Sequence, residues 1–239
     1  MSRAAAIALL CAAALAPPAA RASDADAFAG KIKPISGQLY RKAGRLELTP
    51  VVELSLDDAF FSKVLLGGRI GWHLNDTWAV TGSFSGGFAS ATGSTQVCPA
   101  NQGCTPATSD QLAQVPGEIK MKGGVEVGFA PVYAKLNLLA EKVAHFDLSI
   151  LAGADWIAYR EVLPPPATPG AAPSPGTKAT FGGHLGLGTR VFLAEWGALR
   201  LEIKDYVYGV PIRGTTKLEQ QLFVEMGLSF FLPTRNRSP

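Results

Sequence analysis

The sequence predicts an all-β fold, an eight-stranded antiparallel transmembrane β-barrel. Along the 239-residue chain, apolar and polar residues alternate with a period of two in eight separate segments. Each segment is about as long as a tilted strand that crosses a bilayer, and single-chain barrels require an even number of strands. The last segment ends on the aromatic pair Phe230 and Phe231, close to the chain terminus, where such a barrel closes its sheet.

The first 22 residues are predicted to be a secretory signal peptide. Arg3 supplies the positive charge, residues 4–15 form the apolar run, and Ala20-Arg21-Ala22 is a small-x-small cleavage site. The apolar run is shorter than the roughly 20 residues of a spanning helix, and the sequence has no second run of this kind. The sequence therefore predicts an exported protein and excludes a helical membrane protein.

Charge and cysteine content narrow the class of protein further. Removal of residues 1–22 lowers the formal net charge from +3 to +1, and without a basic run no nucleic-acid partner is expected. Cys98 and Cys104 are then the remaining cysteines, and their proximity in an exported chain predicts a disulfide. The segment around them contains no histidine, so no metal site and no cofactor are expected.

The predicted strands follow one another between short turns and long loops. Their bounds are 44–56, 64–74, 77–90, 118–129, 145–159, 179–193, 198–208 and 217–232. Asn75-Asp76 and Glu195-Trp196-Gly197 are predicted turns, whereas 91–117 and the proline-rich 161–178 are predicted long loops. Residues 23–43 are predicted to be a periplasmic N-terminal tail, and 233–239 a C-terminal tail. With the N-terminus in the periplasm, both long loops face outward.

Residues 131–143 depart from the period of two. Val132, Leu136, Leu139, Ala140 and Val143 recur three and four residues apart. That spacing predicts a short amphipathic helix between the fourth and fifth strands, lying across the periplasmic mouth of the barrel.

Alternation alone does not decide which face of the strands meets lipid, because a lipocalin-like barrel has the two faces reversed. Three features favour a barrel whose apolar face contacts lipid. The glycines of the strands lie on the polar face, the charges of that face are nearly balanced, and the tryptophans lie near strand ends. The predicted lumen ion-pair network is Arg45, Glu47, Glu53, Arg69, Lys120, Lys122, Glu126, Asp147, Asp155, Arg190, Arg200, Glu202, Lys204, Glu219 and Glu225. The predicted membrane girdle is Trp72, Trp78, Trp156, Trp196, Phe230 and Phe231.

Two stretches resemble the outer membrane β-barrel domain proteins of myxobacteria and related deltaproteobacteria. The resemblance is carried by Arg41-Lys42-x-x-Arg45-x-Glu47-Leu48-x-Pro50, Asp57-Asp58-x-Phe60, GGRIGWH ending at His73, Thr77-Trp78-Ala79-Val80, and Pro131-Val132-Tyr133-Ala134-Lys135 leading into His145-Phe146-Asp147-Leu148. It implies the same fold and an outer-membrane location. The resemblance implies no particular activity for this chain, because the family has no general assigned activity. Some small barrels of these bacteria serve envelope-spanning gliding machinery.

The predicted function is that of a non-enzymatic envelope anchor or scaffold with surface-exposed binding loops. Side chains just fill the interior of an eight-stranded barrel, so an open pore is not expected. The alternative is a narrow channel for ions or small solutes, with Arg69, Arg190 and Glu225 along its path. A third reading, a lipid-modifying enzyme, would depend on the inward His184. Expected partners are outer-membrane lipid, the barrel-assembly machinery, and an unidentified periplasmic or surface protein.

Overall fold

The computed structural model describes residues 40–56, 58–98, 103–108, 110–138, 142–163, 175–212 and 214–232. The predicted signal peptide, residues 23–39 of the predicted N-terminal tail and the predicted C-terminal tail lie outside these residues. No helix in the described part of the chain is long and apolar enough to cross a membrane.

The described residues form ten strands, eight of which close into an antiparallel barrel. The strands are β1 Leu46–Leu56, β2 Phe61–His73, β3 Trp78–Ala91, β4 Gln96–Val97, β5 Thr105–Pro106, β6 Ile119–Leu138, β7 Lys142–Arg160, β8 Thr177–Ala194, β9 Gly197–Ile212 and β10 Thr215–Leu232. Around the barrel the order is β1-β10-β9-β8-β7-β6-β3-β2, and β4 pairs with β5 in a separate hairpin. The predicted all-β, eight-stranded antiparallel ring is confirmed.

The predicted helix over 131–143 is wrong. Residues 131–138 continue β6 and residues 142–143 begin β7, while 139–141 lie outside the described residues. A register shift between Phe129 and Val132 changes the phase of the alternation, and Val132 and Leu136 then both lie exposed on the outer face. A spacing of four fits a helix, but it is also two strand periods, so this pattern did not separate the two structures.

The two ends of the barrel differ. The terminal end contains the start of β1 and the end of β10, where Leu46 pairs with Leu232, together with the turns at 74–77 and 195–196. The loop end contains the long connections between β3 and β6 and between β7 and β8. All the predicted tight turns therefore lie at one end and both predicted long loops at the other.

Burial along the strands is the reverse of that in a soluble barrel. Leu185 on the outer face is 68% exposed, whereas Arg69 on the inner face is 3% exposed. Apolar side chains such as Leu66, Ile70 and Phe84 are exposed. Many inward residues of the same strands are charged or small, whereas Phe61 and Leu65 near the loop end are apolar and buried. The apolar face is outside and the polar face is inside.

The seam that closes the barrel is interrupted at one point. The ladder between β1 and β10 pairs Leu48 with Phe230 and Val51 with Gly227, but it skips Thr49 and Pro50. Because proline has no N–H, one cross-strand hydrogen bond is missing there. On the inner face of the same gap, the hydroxyl groups of Thr49 and Ser229 are 2.9 Å apart and hydrogen bonded.

Candidate functional site: the interior of the barrel and its two ends

The centre of the interior is an ion-pair network around Arg69 of β2. Its guanidinium contacts the carboxylates of Glu126 on β6 and Glu202 on β9, and lies 3.3 Å from that of Glu225 on β10. The Nζ of Lys204 reaches the same three carboxylates at 2.6, 3.0 and 3.0 Å. Two cations therefore share three acids, and the shared contacts join strands on different sides of the barrel.

Further charges extend this network in both directions. Toward the loop end, the Nζ of Lys122 lies 2.9 Å from Glu53 and 3.1 Å from Glu225. Toward the terminal end, Arg200 donates to Glu47 at 3.1 Å. Glu47 is also 2.7 Å from the Nε2 of His73.

The buried charges of the described residues are balanced, with eight cationic and eight anionic side chains when histidines are set aside. They are Lys42, Arg45, Lys63, Arg69, Lys122, Arg190, Arg200 and Lys204 against Glu47, Glu53, Glu118, Glu126, Asp147, Asp155, Glu202 and Glu225. A buried charge is costly unless it is paired. Paired as they are, these side chains form part of the packed interior.

His184 of β8 lies between two acids of this network. Its Nδ1 is 2.5 Å from Asp155, and its Nε2 is 3.0 Å from Glu126. The side chain is buried, and both ring nitrogens are engaged with carboxylates. Within the described residues, His184 therefore acts as a bridge between β6 and β7.

An apolar layer fills the interior between the network and the loop end. This loop-end layer consists of Leu65, Ile119, Ile157, Tyr159, Tyr206, Tyr208, Val210 and Phe223. It is joined to the network by Tyr206, whose hydroxyl donates to Glu225 at 2.7 Å. The Nζ of Lys122 lies 3.5 Å from the centroid of the Tyr206 ring, a cation–π contact.

A second apolar group, the terminal-end layer, lies at the opposite end of the barrel. It consists of Phe192, Ala198 and Phe231, with Tyr40 and Tyr133 packed against them. Tyr40 precedes β1 and stacks on Phe192 with ring centroids 5.2 Å apart. The segment that leads into the barrel thus contributes a ring to the closure of its mouth.

Residues 40–45, here called the entry segment, are held across the terminal end. Lys42 is buried and its Nζ pairs with Asp147. The carboxylate of Asp76, in the turn between β2 and β3, accepts hydrogen bonds from the backbone N–H groups of Lys42 at 2.6 Å and Ala43 at 3.0 Å. Partial burial opposes ionisation of Asp76, but these two donors and the nearby Arg41 hold its pKa below the ordinary value.

The long connection after β3 folds back over the loop end. The amide nitrogen of Gln221 donates to the carbonyl of Gly117 at 2.8 Å, and Lys63 donates to the amide oxygen of Gln221 at 2.8 Å. Arg160 pairs with Glu118 at 3.1 Å. In the same connection, the predicted disulfide between Cys98 and Cys104 is present beside the β4–β5 hairpin.

Nearly all residues of the predicted lumen network lie buried inside the barrel, but Lys120 and Glu219 do not. A register shift between Ile119 and Met121 turns Ile119 inward and leaves Lys120 half-buried. Glu219 is half-buried near the loop end. Arg45 is inside, where it donates to the backbone carbonyls of Glu195 at 2.8 Å and Phe231 at 3.0 Å.

The predicted girdle is divided between the two faces and ends of the barrel. Trp72, Trp78 and Trp196 are exposed at the terminal end, where Trp196 stacks on Phe230 at 6.0 Å. Trp156 is half-buried on the loop-end side of β7. Phe231 differs from the prediction: it is 2% exposed and points inward, because adjacent residues of a strand point to opposite faces.

The predicted lumen network leaves out several buried side chains, among them Glu118, Lys63, His73 and Lys42. Lys63 falls one residue before the predicted start of the second strand, although it is in phase with Arg69 and extension of the strand would have included it. His73 is in phase with Arg69 on β2, and its ring contacts Glu47 inside the barrel. Lys42 precedes β1, where no periodicity indicates an inward side chain.

The described residues contain no group of three or more His, Cys, Asp or Glu side chains that could hold a metal ion. No protein-family model and no curated protein matches the chain. Among solved structures, it is similar to the N-terminal β-barrel domain of Pseudomonas aeruginosa OprF, with 11% identity, a TM-score of 0.49, and coverage of 80% of this chain and 98% of that one.

Two further solved structures resemble the chain. The outer membrane protein OprG of Pseudomonas aeruginosa is 11% identical, with a TM-score of 0.47 and coverage of 80% of this chain and 97% of that one. Ail, the attachment invasion locus protein of Yersinia pestis, is 10% identical, with a TM-score of 0.35 and coverage of 80% and 99%. These likenesses are too distant to transfer a function.

Proposed function

We propose that this chain is an outer-membrane β-barrel that acts as a rigid, non-enzymatic anchor for its loops. The membrane location is supported by the apolar outer face, on which Leu66, Ile70 and Leu185 are exposed. Only helices and closed barrels satisfy every backbone group in hydrocarbon, and this barrel is closed. The exposed tryptophans at the terminal end fit one interfacial girdle.

One observation carries the anchor function: within the described residues, two apolar clusters and an ion-pair network occupy the interior at both ends and at the centre. The entry segment and the terminal-end layer close one mouth, the ion-pair network occupies the centre, and the loop-end layer and the folded-back connection close the other. An interior of this kind suits a scaffold that presents loops.

The orientation and the partners belong to the same proposal. Bacterial barrels carry short periplasmic turns and longer extracellular loops, which supports a periplasmic terminal end and an outward loop end. The proposed partners are outer-membrane lipid, the assembly machinery during biogenesis, and a protein that meets the loops or the periplasmic side. Membership of the myxobacterial barrel family stays a prediction.

The enzyme reading is not favoured by the surroundings of His184. The ring is 5% exposed, and each nitrogen lies within hydrogen-bond distance of a carboxylate. A general base in a lipid-modifying enzyme must reach a substrate at the barrel surface.

The test joins gel mobility with conductance. The purified protein should migrate faster unboiled than boiled and should fractionate with the outer membrane, and after insertion into planar bilayers it should give no discrete current steps. Reproducible steps that change size in Arg69→Ala would favour the narrow channel, because that side chain lies at the centre of the network. A soluble periplasmic protein without a heat shift would overturn the membrane proposal.

A further inference from the structure

The outer wall of the barrel carries an acid at Asp205 of β9. This residue is in phase with Ile203 and Val207, which are 49% and 41% exposed on the outer face. In the ladders it is paired with Leu185 of β8 and Leu222 of β10. Every other Asp and Glu in the eight described barrel strands lies on an inward row. Asp205 is therefore an exception on a wall that is otherwise suited to lipid.

The height of Asp205 on this wall follows from its distance to the terminal-end tryptophans. It comes nine residues after the exposed Trp196. At about 3.3 Å per residue and a strand tilt of about 40°, these residues rise roughly 23 Å along the barrel axis. The apolar band of such barrels is about 25 Å tall. Asp205 therefore lies near the loop-end boundary of the band, where hydrocarbon ends and lipid headgroups begin.

Gln220 of β10 is the polar neighbour of this acid on the outer face. Its amide nitrogen donates to the Asp205 carboxylate at 2.5 Å, and its side chain is exposed. It lies two residues from Leu222, the partner of Asp205 in the ladder, and is displaced toward the loop end. Within the described part of the chain, the carboxylate accepts from no other donor, and the amide oxygen of Gln220 accepts from none. Two acceptor groups therefore lie side by side on the wall.

No cation of the described residues forms an ion pair with Asp205. Lys204 is adjacent in the chain, but it points inward and contacts Glu126, Glu202 and Glu225. An unpaired carboxylate at the edge of hydrocarbon is costly, and ionisable groups in such positions are usually functional. The compensating cation is therefore expected from outside the barrel.

We propose that Asp205 and Gln220 bind the headgroup of an aminophospholipid, in which a primary ammonium group lies next to the phosphate. The ammonium has three donors and no acceptor, so it can donate to the carboxylate and to the amide oxygen together. The acyl chains would lie along exposed apolar side chains such as Leu185 and Ile203. A second copy of the chain fits less well, because its own Asp205 would bring a like charge to the same place.

This inference rests on the proposed membrane location and names the class of lipid that the wall prefers. It does not depend on the anchor function or on the orientation of the barrel, because both leaflets have a headgroup layer at their boundary.

Lipid retention by the full protein tests the proposal. The protein is placed in nanodiscs with equal amounts of dioleoyl phosphatidylethanolamine and dioleoyl phosphatidylcholine, transferred into detergent, and its bound lipids are identified by native mass spectrometry. Both headgroups carry a positive charge, but methyl groups replace the N–H donors in the choline. The ethanolamine lipid should be retained at least about tenfold more than the choline lipid, because hydrogen bonds between charged groups contribute most. Equal retention of the two lipids would overturn the proposal.

Variants locate the site on the wall. Asp205→Asn should reduce the preference for the ethanolamine lipid to less than about twofold, because it removes the charge and keeps the shape. Gln220→Leu should reduce the preference about threefold, since it removes one neutral acceptor. The matched control is Glu219→Gln, which removes an acid from the adjacent inward position of β10 and should leave the preference unchanged. Asp205→Asn is expected to fold, because a charge on the lipid face opposes insertion.

Two further outcomes would overturn the proposal. An unchanged lipid preference in Asp205→Asn would remove the site from this part of the wall. A dimer that is lost in Asp205→Asn, without any lipid preference in the wild type, would assign Asp205 and Gln220 to a contact between two copies. Faster migration of the unboiled protein separates the failures: a soluble protein without a heat shift contradicts the membrane proposal, whereas a heat-shifted barrel with equal retention contradicts this inference alone.

Discussion

Arg69 shows what a single buried side chain contributes to this barrel. It contacts acids on β6, β9 and β10 from its position on β2, and its side chain is 2% exposed. Removal of one member of a buried ion pair leaves an uncompensated charge in a medium that solvates it poorly. The three acids would then share fewer cations.

Arg69→Met should therefore lower the free energy of unfolding by about 3–5 kcal/mol. The control is Arg41→Gln, because Arg41 is largely exposed and pairs with Asp76 at 3.6 Å. An exposed pair of this kind contributes about 0–1 kcal/mol. Urea unfolding in lipid vesicles, followed by tryptophan fluorescence, measures both changes. A loss below about 1 kcal/mol in Arg69→Met would mean that the remaining cations around the three acids, Lys204, Arg200 and Lys122, can balance them.

Asp76 makes the attachment of the entry segment dependent on pH. Its pKa is depressed below the ordinary value of 3.8. A depressed carboxyl pKa contributes stability that is present above the unfolded pKa and is lost as the pH falls through the folded one. At neutral pH the ionised Asp76 therefore stabilises the fold, and this contribution decreases below about pH 4.

Asp76→Asn should be less stable than the wild type by about 1 kcal/mol at pH 7, because the amide is a weaker acceptor than the carboxylate. The difference should become smaller as the pH is lowered below 3.8. Urea midpoints of both proteins at pH 7, 5, 4 and 3 provide the comparison. A difference that stays constant over this range would show that charge on Asp76 does not hold the entry segment.

At the scale of the strand, the β1–β10 seam contains a proline, a residue that cannot donate a hydrogen bond to the ladder. Pro50 lies within β1, opposite Leu228 of β10, and the pairing skips it. An unsatisfied carbonyl costs more in hydrocarbon than in water, so this missing bond is costly in the proposed membrane. Thr49 and Ser229 compensate in part through their side-chain hydrogen bond.

Pro50→Val should stabilise the barrel by about 1 kcal/mol, because it restores an N–H donor and adds a residue suited to strands. Some of this gain is offset because proline also restricts the unfolded chain. Pro211→Val is the matched control: Pro211 pairs with Thr216 in an unbroken ladder, so no gain is expected there. The unfolding rates of the two variants in urea are compared with that of the wild type. Equal changes in both variants would mean that the gap in the β1–β10 ladder at Pro50 does not weaken the barrel.

The strands could be predicted because alternation leaves a strong signal when one face is apolar and the other is charged. The ring of eight strands, the two long loops and most of the interior acids and bases follow from that signal. It fails where the phase changes, because the sequence does not mark a register shift. At Ile119 such a shift removes Lys120 from the interior, and at Val132 it makes a strand look helical.

The entry segment was unpredictable for a different reason. Lys42 and Tyr40 lie outside any strand, so no period assigns their side chains to a face. Their contacts with Asp147 and Phe192 join positions far apart in the chain. Contacts of this kind depend on closure of the barrel, which local patterns do not encode.

At the scale of the whole molecule, the buried charges of the barrel interior are balanced, and apolar side chains lie at both ends. Eight buried cations face eight buried anions in the described residues, so the interior has little net charge to attract a solute of either sign. Apolar layers separate this network from both mouths. The barrel is therefore better suited to hold its ends in fixed positions than to pass ions between them.

The proposed orientation gives the last prediction, made with single cysteines in Gram-negative cells. Cys98 and Cys104 are joined in a disulfide, so a maleimide does not react with them. Gln111→Cys lies exposed at the loop end and Arg41→Cys lies exposed at the terminal end. A membrane-impermeant maleimide should label Gln111→Cys in intact cells and Arg41→Cys only after the outer membrane is permeabilised. This result is expected because the long connections of bacterial barrels face the cell exterior. The reverse labelling pattern would show that the loop end of the barrel faces the periplasm.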